Sequence, residues 1–247
     1  MARLEELKVK LFADGADVAG IAQLAAQSFI QGFTTNPTLM RKANVCDYRE
    51  FAHQVLGLIG DRPVSFEVFS DEFAEMELQA LEIASWGENV YVKIPVTNTQ
   101  SESSGPLIRR LSAAGVKVNV TAVMTTRQVA EVVECLATST AACVSVFAGR
   151  IADTGQDPVP LMREAVRLLA ARPRAELIWA SPRELLNILQ ADAIGCQIIT
   201  ATSDILAKLP LIDKDLDEFS LETVRMFRQD AVKAGYTIER SQTVGSK

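Results

Sequence analysis

Histidine is almost absent: one residue, His53, in 247. A zinc or copper centre built on two or three histidines is thereby excluded. Any Ser-His-Asp or Cys-His pair would have to run through His53, which lies in the helical pattern Glu50-Phe51-Ala52-His53-Gln54-Val55 and reads as a helix-surface side chain. The four cysteines, Cys46, Cys135, Cys143 and Cys196, stand far apart with no CxxC pair. They read as reduced core thiols rather than a disulfide framework. No apolar run approaches the ~18 residues of a membrane span, and Met-Ala-Arg-Leu-Glu-Glu has no signal-type apolar stretch, so no membrane partner and a cytoplasmic location are expected. There is no Lys/Arg cluster, and the net charge is −6, so no nucleic-acid partner is expected.

What is present is the composition of a globular protein: 48% hydrophobic and 23% charged residues, far from that of a disordered chain. Short apolar runs recur at Val9–Ala13, Gly32–Thr35, Val64–Val68, Val90–Val96, Val116–Val120, Cys143–Phe147, Leu177–Ala180 and Gln197–Thr200. They are nearly continuous rather than alternating, the pattern of parallel strands buried on both faces. Helical stretches with start signals lie between them. Asp17 precedes Val18, Ile21 and Ala25. Asp71 opens a run with Phe73, Met76, Ala80 and Ala84 inward, ended by Gly87. Thr125 precedes Val129, Val132, Val133 and Leu136. Asp157-Pro158 is a cap followed by proline, and Ser181-Pro182-Arg183-Glu184 reads as a capping box. Eight strand–helix units in ~250 residues point to a closed (β/α)₈ barrel, an α/β fold, more than to an open doubly wound sheet. The GxGxxG and P-loop patterns that would favour the open sheet are missing. One domain is expected over residues 1–247, with an extra helix at about 220–234 and a frayed polar tail.

In a barrel the chemistry sits at the C-terminal strand ends. The polar residues there are Asp14, Thr34-Thr35-Asn36, Glu67, Lys93, Asn119 and Thr121, Ser145 and Arg150, then Ser181 and Arg183. Lys93 stands out within Val90-Tyr91-Val92-Lys93-Ile94-Pro95-Val96, because lysine is rarely wholly buried. Burial among apolar neighbours favours a neutral amine, which attacks carbonyls to form Schiff bases. The competing reading is a strand-end lysine paired with Glu67 or Asp14. Those two carboxylates suit proton transfer. Thr121 could hold a water or simply belong to its strand. Arg150 and Arg183 could clamp a phosphate or be solvated loop charges. Ser181 could serve a phosphate site while capping its helix.

Leu11-Phe12-Ala13-Asp14-Gly15-Ala16-Asp17, Gly32-Phe33-Thr34-Thr35-Asn36-Pro37-Thr38, Val90-Tyr91-Val92-Lys93-Ile94-Pro95-Val96-Thr97 and Val144-Ser145-Val146-Phe147-Ala148-Gly149-Arg150-Ile151 resemble the transaldolase family, in order and over about residues 8–235. The length is similar to that of the small branch, which includes the fructose-6-phosphate aldolases. The resemblance implies a (β/α)₈ barrel, sugar-phosphate substrates, no cofactor or metal, and a homo-oligomer. It implies that Lys93 is the Schiff-base lysine and that Asp14 takes the C4-hydroxyl proton. It further implies that Glu67 works through a water held by Thr121. Thr34, Asn36, Asn119 and Phe147 would contact substrate, and Arg150, Ser181 and Arg183 the phosphate.

One local departure is Ser181-Pro182-Arg183, where the family often has Ser-Phe-Arg or Ser-Phe-Lys. The aldolases resembling this chain usually carry Gln and Tyr where it has Glu67 and Phe147. The Glu/Phe pair is that of the transferases, so a transaldolase of the pentose phosphate pathway is expected. The alternatives are a fructose-6-phosphate-type dihydroxyacetone aldolase and a non-catalytic sugar-phosphate-binding barrel, which would lack one of the essential groups.

Overall fold

A computed structural model describes residues 2–238. Contacts divide the chain into two compact units, Met1–Leu209 and Pro210–Lys247. In the first, a short helix α1 (Ala2–Glu6) precedes β1 (Lys10–Asp14), α2 (Val18–Ala25), β2 (Ile30–Thr34), α3 (Pro37–Lys42), α4 (Tyr48–Ile59), β3 (Val64–Glu67) and α5 (Phe73–Ala84). The chain continues through β4 (Val90–Pro95), α6 (Gly105–Ala113), β5 (Val118–Val123), α7 (Thr126–Cys135), β6 (Ala142–Val146), α8 (Ala148–Ala152) and α9 (Val159–Leu169). β7 (Ala175–Trp179), α10 (Leu186–Ala193), β8 (Ile198–Ala201) and α11 (Ser203–Leu206) complete the unit. The second unit holds α12 (Leu216–Lys233), four residues longer at its start than the patterning indicates.

All eight strands pair in parallel and in chain order, and β8 closes on β1. The fold is the expected (β/α)₈ barrel. The continuous apolar runs are explained by burial on both faces: every residue of β6 is buried. The barrel interior is packed rather than hollow. Phe12, Cys143, Ile178, Ala180 and Ile198 form a cluster with Tyr91 and Phe147 against it. Gly32 is required there, because a Cβ at that position would lie 2.4 Å from the Phe12 ring.

Local signals held unevenly. Asp17 caps α2 through the Gly20 amide, and Thr125 and Gln128 form a capping box on α7. Asp157 accepts from the Val159 amide, while Pro158 already has helical dihedrals. Asp71 is not a cap: Glu72 precedes α5, and the Asp71 carboxylate instead accepts from the amide and hydroxyl of Thr99. The helix stops at Ala84, short of Gly87. His53 is exposed on α4, as expected. The four cysteines are free, but only Cys143 and Cys196 are buried, whereas Cys46 is exposed and Cys135 intermediate. Cys46 lies in the α3–α4 turn, outside any packed face. Among the described residues no helix is long and apolar enough to cross a membrane. The tail expected to fray lies, from residue 239 on, outside the described residues.

Candidate active site

The strand ends converge on a cavity of about 470 Å³ at the C-terminal mouth of the barrel. Of the residues singled out from the sequence, all but Thr35 and Asn119 line it. Asn119 is fully buried instead, and its amide is committed on both sides. It donates to Ser65 Oγ at 2.9 Å and accepts from Ser145 Oγ at 2.8 Å, tying β3, β5 and β6 together beside the cavity. Lys42 and Thr200 also line the wall, and local sequence did not mark either of them.

Lys93 and Glu67 are direct register partners on β4 and β3. Lys93 Nζ lies 3.2 Å from Glu67 Oε2, and the two side chains are 7% and 16% exposed. The amine also donates to the Thr35 carbonyl at 2.8 Å. The ion pair and that hydrogen bond answer the cost of burying a cationic head. Glu67 is held from behind. The Tyr48 hydroxyl on α4 accepts from the Glu67 amide at 2.7 Å and donates to the Glu67 carbonyl at 3.0 Å. β2 and β3 pair only through Phe33–Val64 and Thr34–Ser65, so the tyrosine stands in for a strand partner. Its ring sits among Phe66, Phe69 and Trp86. Burial pushes its phenol well above the usual range, so the donor keeps its proton.

Asp14 closes the triangle from β1. Its Oδ1 accepts from Thr34 Oγ1 at 2.7 Å. Asn36 caps α3, its Oδ1 accepting from the Leu39 amide at 3.0 Å. That bond assigns the amide orientation and leaves the NH₂ group as a donor towards Asp14. Burial raises the Asp14 carboxyl above the ordinary carboxylate range; the Lys93 charge and the Thr34 and Asn36 bonds oppose the rise, nearby Glu67 adds to it, and the net direction stays upward. The proton-bound form is thus favoured more in the native than in the unfolded chain. The stability this supplies is complete below the unfolded value of ~3.9 and is lost as pH rises through the native value. Asp14→Asn should therefore melt higher than wild type at pH 7 and lose that advantage near pH 3, as followed by calorimetry at both pH values. A variant that melts lower at pH 7 would contradict the sign.

Thr121 lies within a register irregularity in β5, between Val120 and Val123, and the next residue, Ala122, has φ 60°. A bulge of this kind re-aims a side chain. The Thr121 hydroxyl is buried and has no hydrogen-bond partner among the described residues, an uncommon state for a buried hydroxyl.

The far wall is cationic. Arg150 lies over the Phe147 ring, 5.7 Å from its centroid. Arg183 forks onto Asp153, with Nε to Oδ1 at 2.8 Å and the second arm to Oδ2, and it donates through NH1 to Ser181 Oγ at 3.0 Å. Ser181 forms no capping box. It adopts φ 59°, α10 begins only at Leu186, and the Asn187 side chain accepts from the amides of Arg183 and Glu184. Proline at 182 imitates a helix start, but the left-handed Ser181 turns the chain away first. This turn packs on Gly149, where a Cβ would stand 1.5 Å from the Ser181 carbonyl oxygen. The Gly149 contact brings the β6 and β7 loops, and with them both arginines, to one wall.

The sequence pattern of the family described as Transaldolase/Fructose-6-phosphate aldolase matches residues 11–238. A protein of Dehalococcoides mccartyi named "Probable transaldolase" is 34% identical over 215 residues, covering 85% of this chain and 96% of that one. Another of that name, from Methanococcus maripaludis, is 33% identical with 85% and 95% covered. A solved structure titled as a "putative dihydrodipicolinate synthase family protein" from Coccidioides immitis superposes with a TM-score of 0.57 at 11% identity, over 78% of this chain and 67% of that one. At that identity the likeness concerns the barrel fold alone. The chain belongs to the transaldolase/fructose-6-phosphate aldolase family.

Proposed function

We propose that this enzyme transfers a dihydroxyacetone unit from a ketose phosphate to an aldose phosphate through a Schiff base on Lys93. The observation that carries the reading is the buried Lys93–Glu67 pair at 3.2 Å, facing one cavity with Asp14. The Lys93 amine adds to the C2 carbonyl of fructose 6-phosphate or sedoheptulose 7-phosphate. Glu67 and a water on the Thr121 hydroxyl pass the protons that convert carbinolamine to iminium with loss of water. Asp14 removes the C4-hydroxyl proton, and the C3–C4 bond breaks. The electron pair moves to the iminium nitrogen, leaving a three-carbon enamine on Lys93 and a free aldose phosphate. A second aldose phosphate enters and the steps reverse. Thr34 and Asn36 serve the sugar hydroxyls, while Asn119, buried beside the cavity, holds Ser65 and Ser145 in place. Phe147 supports Arg150, which with Ser181 and Arg183 receives the phosphate. A cytoplasmic enzyme of the pentose phosphate pathway, working without a cofactor, fits this chemistry.

The choice of transfer over simple cleavage rests on Glu67. A carboxylate can give and take the protons of imine formation, whereas glutamine has no titratable proton. Fructose 6-phosphate with erythrose 4-phosphate should yield sedoheptulose 7-phosphate and glyceraldehyde 3-phosphate, with much slower cleavage when no acceptor is present. Glu67→Gln should lower transfer and raise the relative share of released dihydroxyacetone. Equal release by wild type with and without acceptor would make the chain an aldolase.

A homo-oligomer also belongs to this reading. No residue of α12 is buried, and Leu216, Val224 and Phe227 are 79%, 60% and 63% exposed. An apolar stripe of that kind needs cover, and we assign it to a second copy of the chain. Truncation before Leu216 should lower the mass measured by light scattering. A monomeric full-length chain, or an unchanged mass, would reject the assignment.

A further inference from the structure

Behind Asp14 lies a chain of two hydroxyls. Thr34 Oγ1 is 2.7 Å from Asp14 Oδ1 and 2.6 Å from Thr200 Oγ1. The three residues come from adjacent strands β1, β2 and β8, so the chain exists only because β8 closes the barrel on β1. Thr34 and Thr200 are 3% and 5% exposed, at the edge of the cavity wall. Among the described residues the Thr200 hydroxyl has no other recorded partner.

The directions of these bonds follow from counting hydrogens. A threonine hydroxyl has one, and an ionised carboxylate only accepts. Facing ionised Asp14, Thr34 must direct its hydrogen at Oδ1. The short contact to Thr200 is then a bond only if Thr200 donates. We propose that Thr200 is a positioning residue for Asp14: by giving its hydrogen to Thr34 it holds the Thr34 hydrogen on Oδ1 and leaves Oδ2 as the oxygen that takes the substrate proton. The part concerning substrate rests on Asp14 being the base of the proposed function, whereas the hydrogen-bond chain does not.

A donor that is itself a hydrogen-bond acceptor is polarised and binds an anion more strongly. Thr200 therefore favours the ionised form of Asp14 without touching it. The other groups that face Asp14 are Asn36 at the start of α3, Glu67 on β3 and Lys93 on β4. None of them changes when Thr200 is replaced, so any change in Asp14 titration reports on the hydroxyl chain.

Thr200→Val keeps the shape and removes the hydroxyl, and Thr200→Ser keeps the hydroxyl. Thr200→Ala replaces the valine variant if that does not fold. With ¹³C at the aspartate γ-carbon and Asp14→Asn to identify the signal, the Asp14 midpoint should rise by about half a pH unit in Thr200→Val. It should stay at the wild-type value in Thr200→Ser. The acid limb of kcat/KM should move by the same amount, because the base must be ionised. Borohydride trapping of fructose 6-phosphate should be unchanged in all three proteins. Wild type and Thr200→Val titrating together, or Thr200→Ser shifting as far as Thr200→Val, would overturn the proposal. A midpoint that moves while the kcat/KM limb does not would spare the hydroxyl chain and remove Asp14 from the role of base.

Discussion

Lys93→Met should abolish both turnover and borohydride-dependent labelling, with kcat reduced by about 10³-fold or more because the covalent route is lost. Methionine matches the length of the stem without the amine. It leaves Glu67 without its partner at 3.2 Å and the Thr35 carbonyl without a donor, so a modest loss of stability should accompany the loss of activity. Lys93→Arg should not rescue either readout. Guanidinium keeps its proton and cannot attack a carbonyl. In wild type, borohydride with fructose 6-phosphate should add its mass to the peptide that contains Lys93. Lys42 lines the same cavity and is the internal control. A label on Lys42 would move the Schiff base to the end of α3 and undo the assignment. A barrel that merely held sugar phosphates would bind them and label nowhere.

Gly149→Ala should damage phosphate recognition more than any single arginine replacement. The added Cβ would lie 1.5 Å from the Ser181 carbonyl oxygen and 2.7 Å from its carbon. Both are backbone atoms, so no side-chain rotation relieves the clash. The β7–α10 turn must move outward, and with it Ser181 and the Arg183 fork on Asp153. Ser181 already occupies φ 59°, a conformation that costs on the order of 1–3 kcal/mol and persists only while its surroundings hold it. KM for phosphorylated substrates should rise by about tenfold or more, the effect of displacing a charge-assisted pair. Trapping of unphosphorylated dihydroxyacetone on Lys93 should be nearly unchanged, since Lys93, Glu67 and Asp14 stand on other strands. Steady-state kinetics on matched phosphorylated and free substrates separates the two. Equal losses on both would mean that the Gly149 contact supports the whole barrel rather than its phosphate wall.

The barrel was legible because it is written locally. Eight apolar runs and the caps at Asp17 and Thr125 each announce themselves within a few residues. The candidate site was legible for a related reason: Lys93, Glu67 and Asp14 are charged residues at the ends of apolar strands, where burial makes charge conspicuous. Contacts across the chain carried no such mark. Asp153 and Arg183 are 30 residues apart, and Thr34 and Thr200 are 166 apart. Nothing beside Thr200 distinguishes it from a threonine that merely fills a strand. Ser181 was misread because Pro182 satisfies the local grammar of a helix start, while the contact that decides its conformation lies at Gly149. Asn119 shows the same limit, since its burial between Ser65 and Ser145 depends on side chains from two other strands.

The Tyr48 hydroxyl ties scaffold dynamics to the rim. A cylinder of strands is only as closed as its sparsely zipped seams, and β2 and β3 share two register pairs, as β7 and β8 do, to which the Thr35 hydroxyl and the Tyr48 phenol add bonds. Amide exchange through local opening draws first on such places. Undocking α4 would free the Glu67 backbone on the edge facing β2 and loosen the carboxylate that meets Lys93. Breathing at this seam and misalignment of the amine are therefore one event. Any stiffening of the α4–β3 joint would act on the lifetime of the aligned rim as well as on resistance to unfolding.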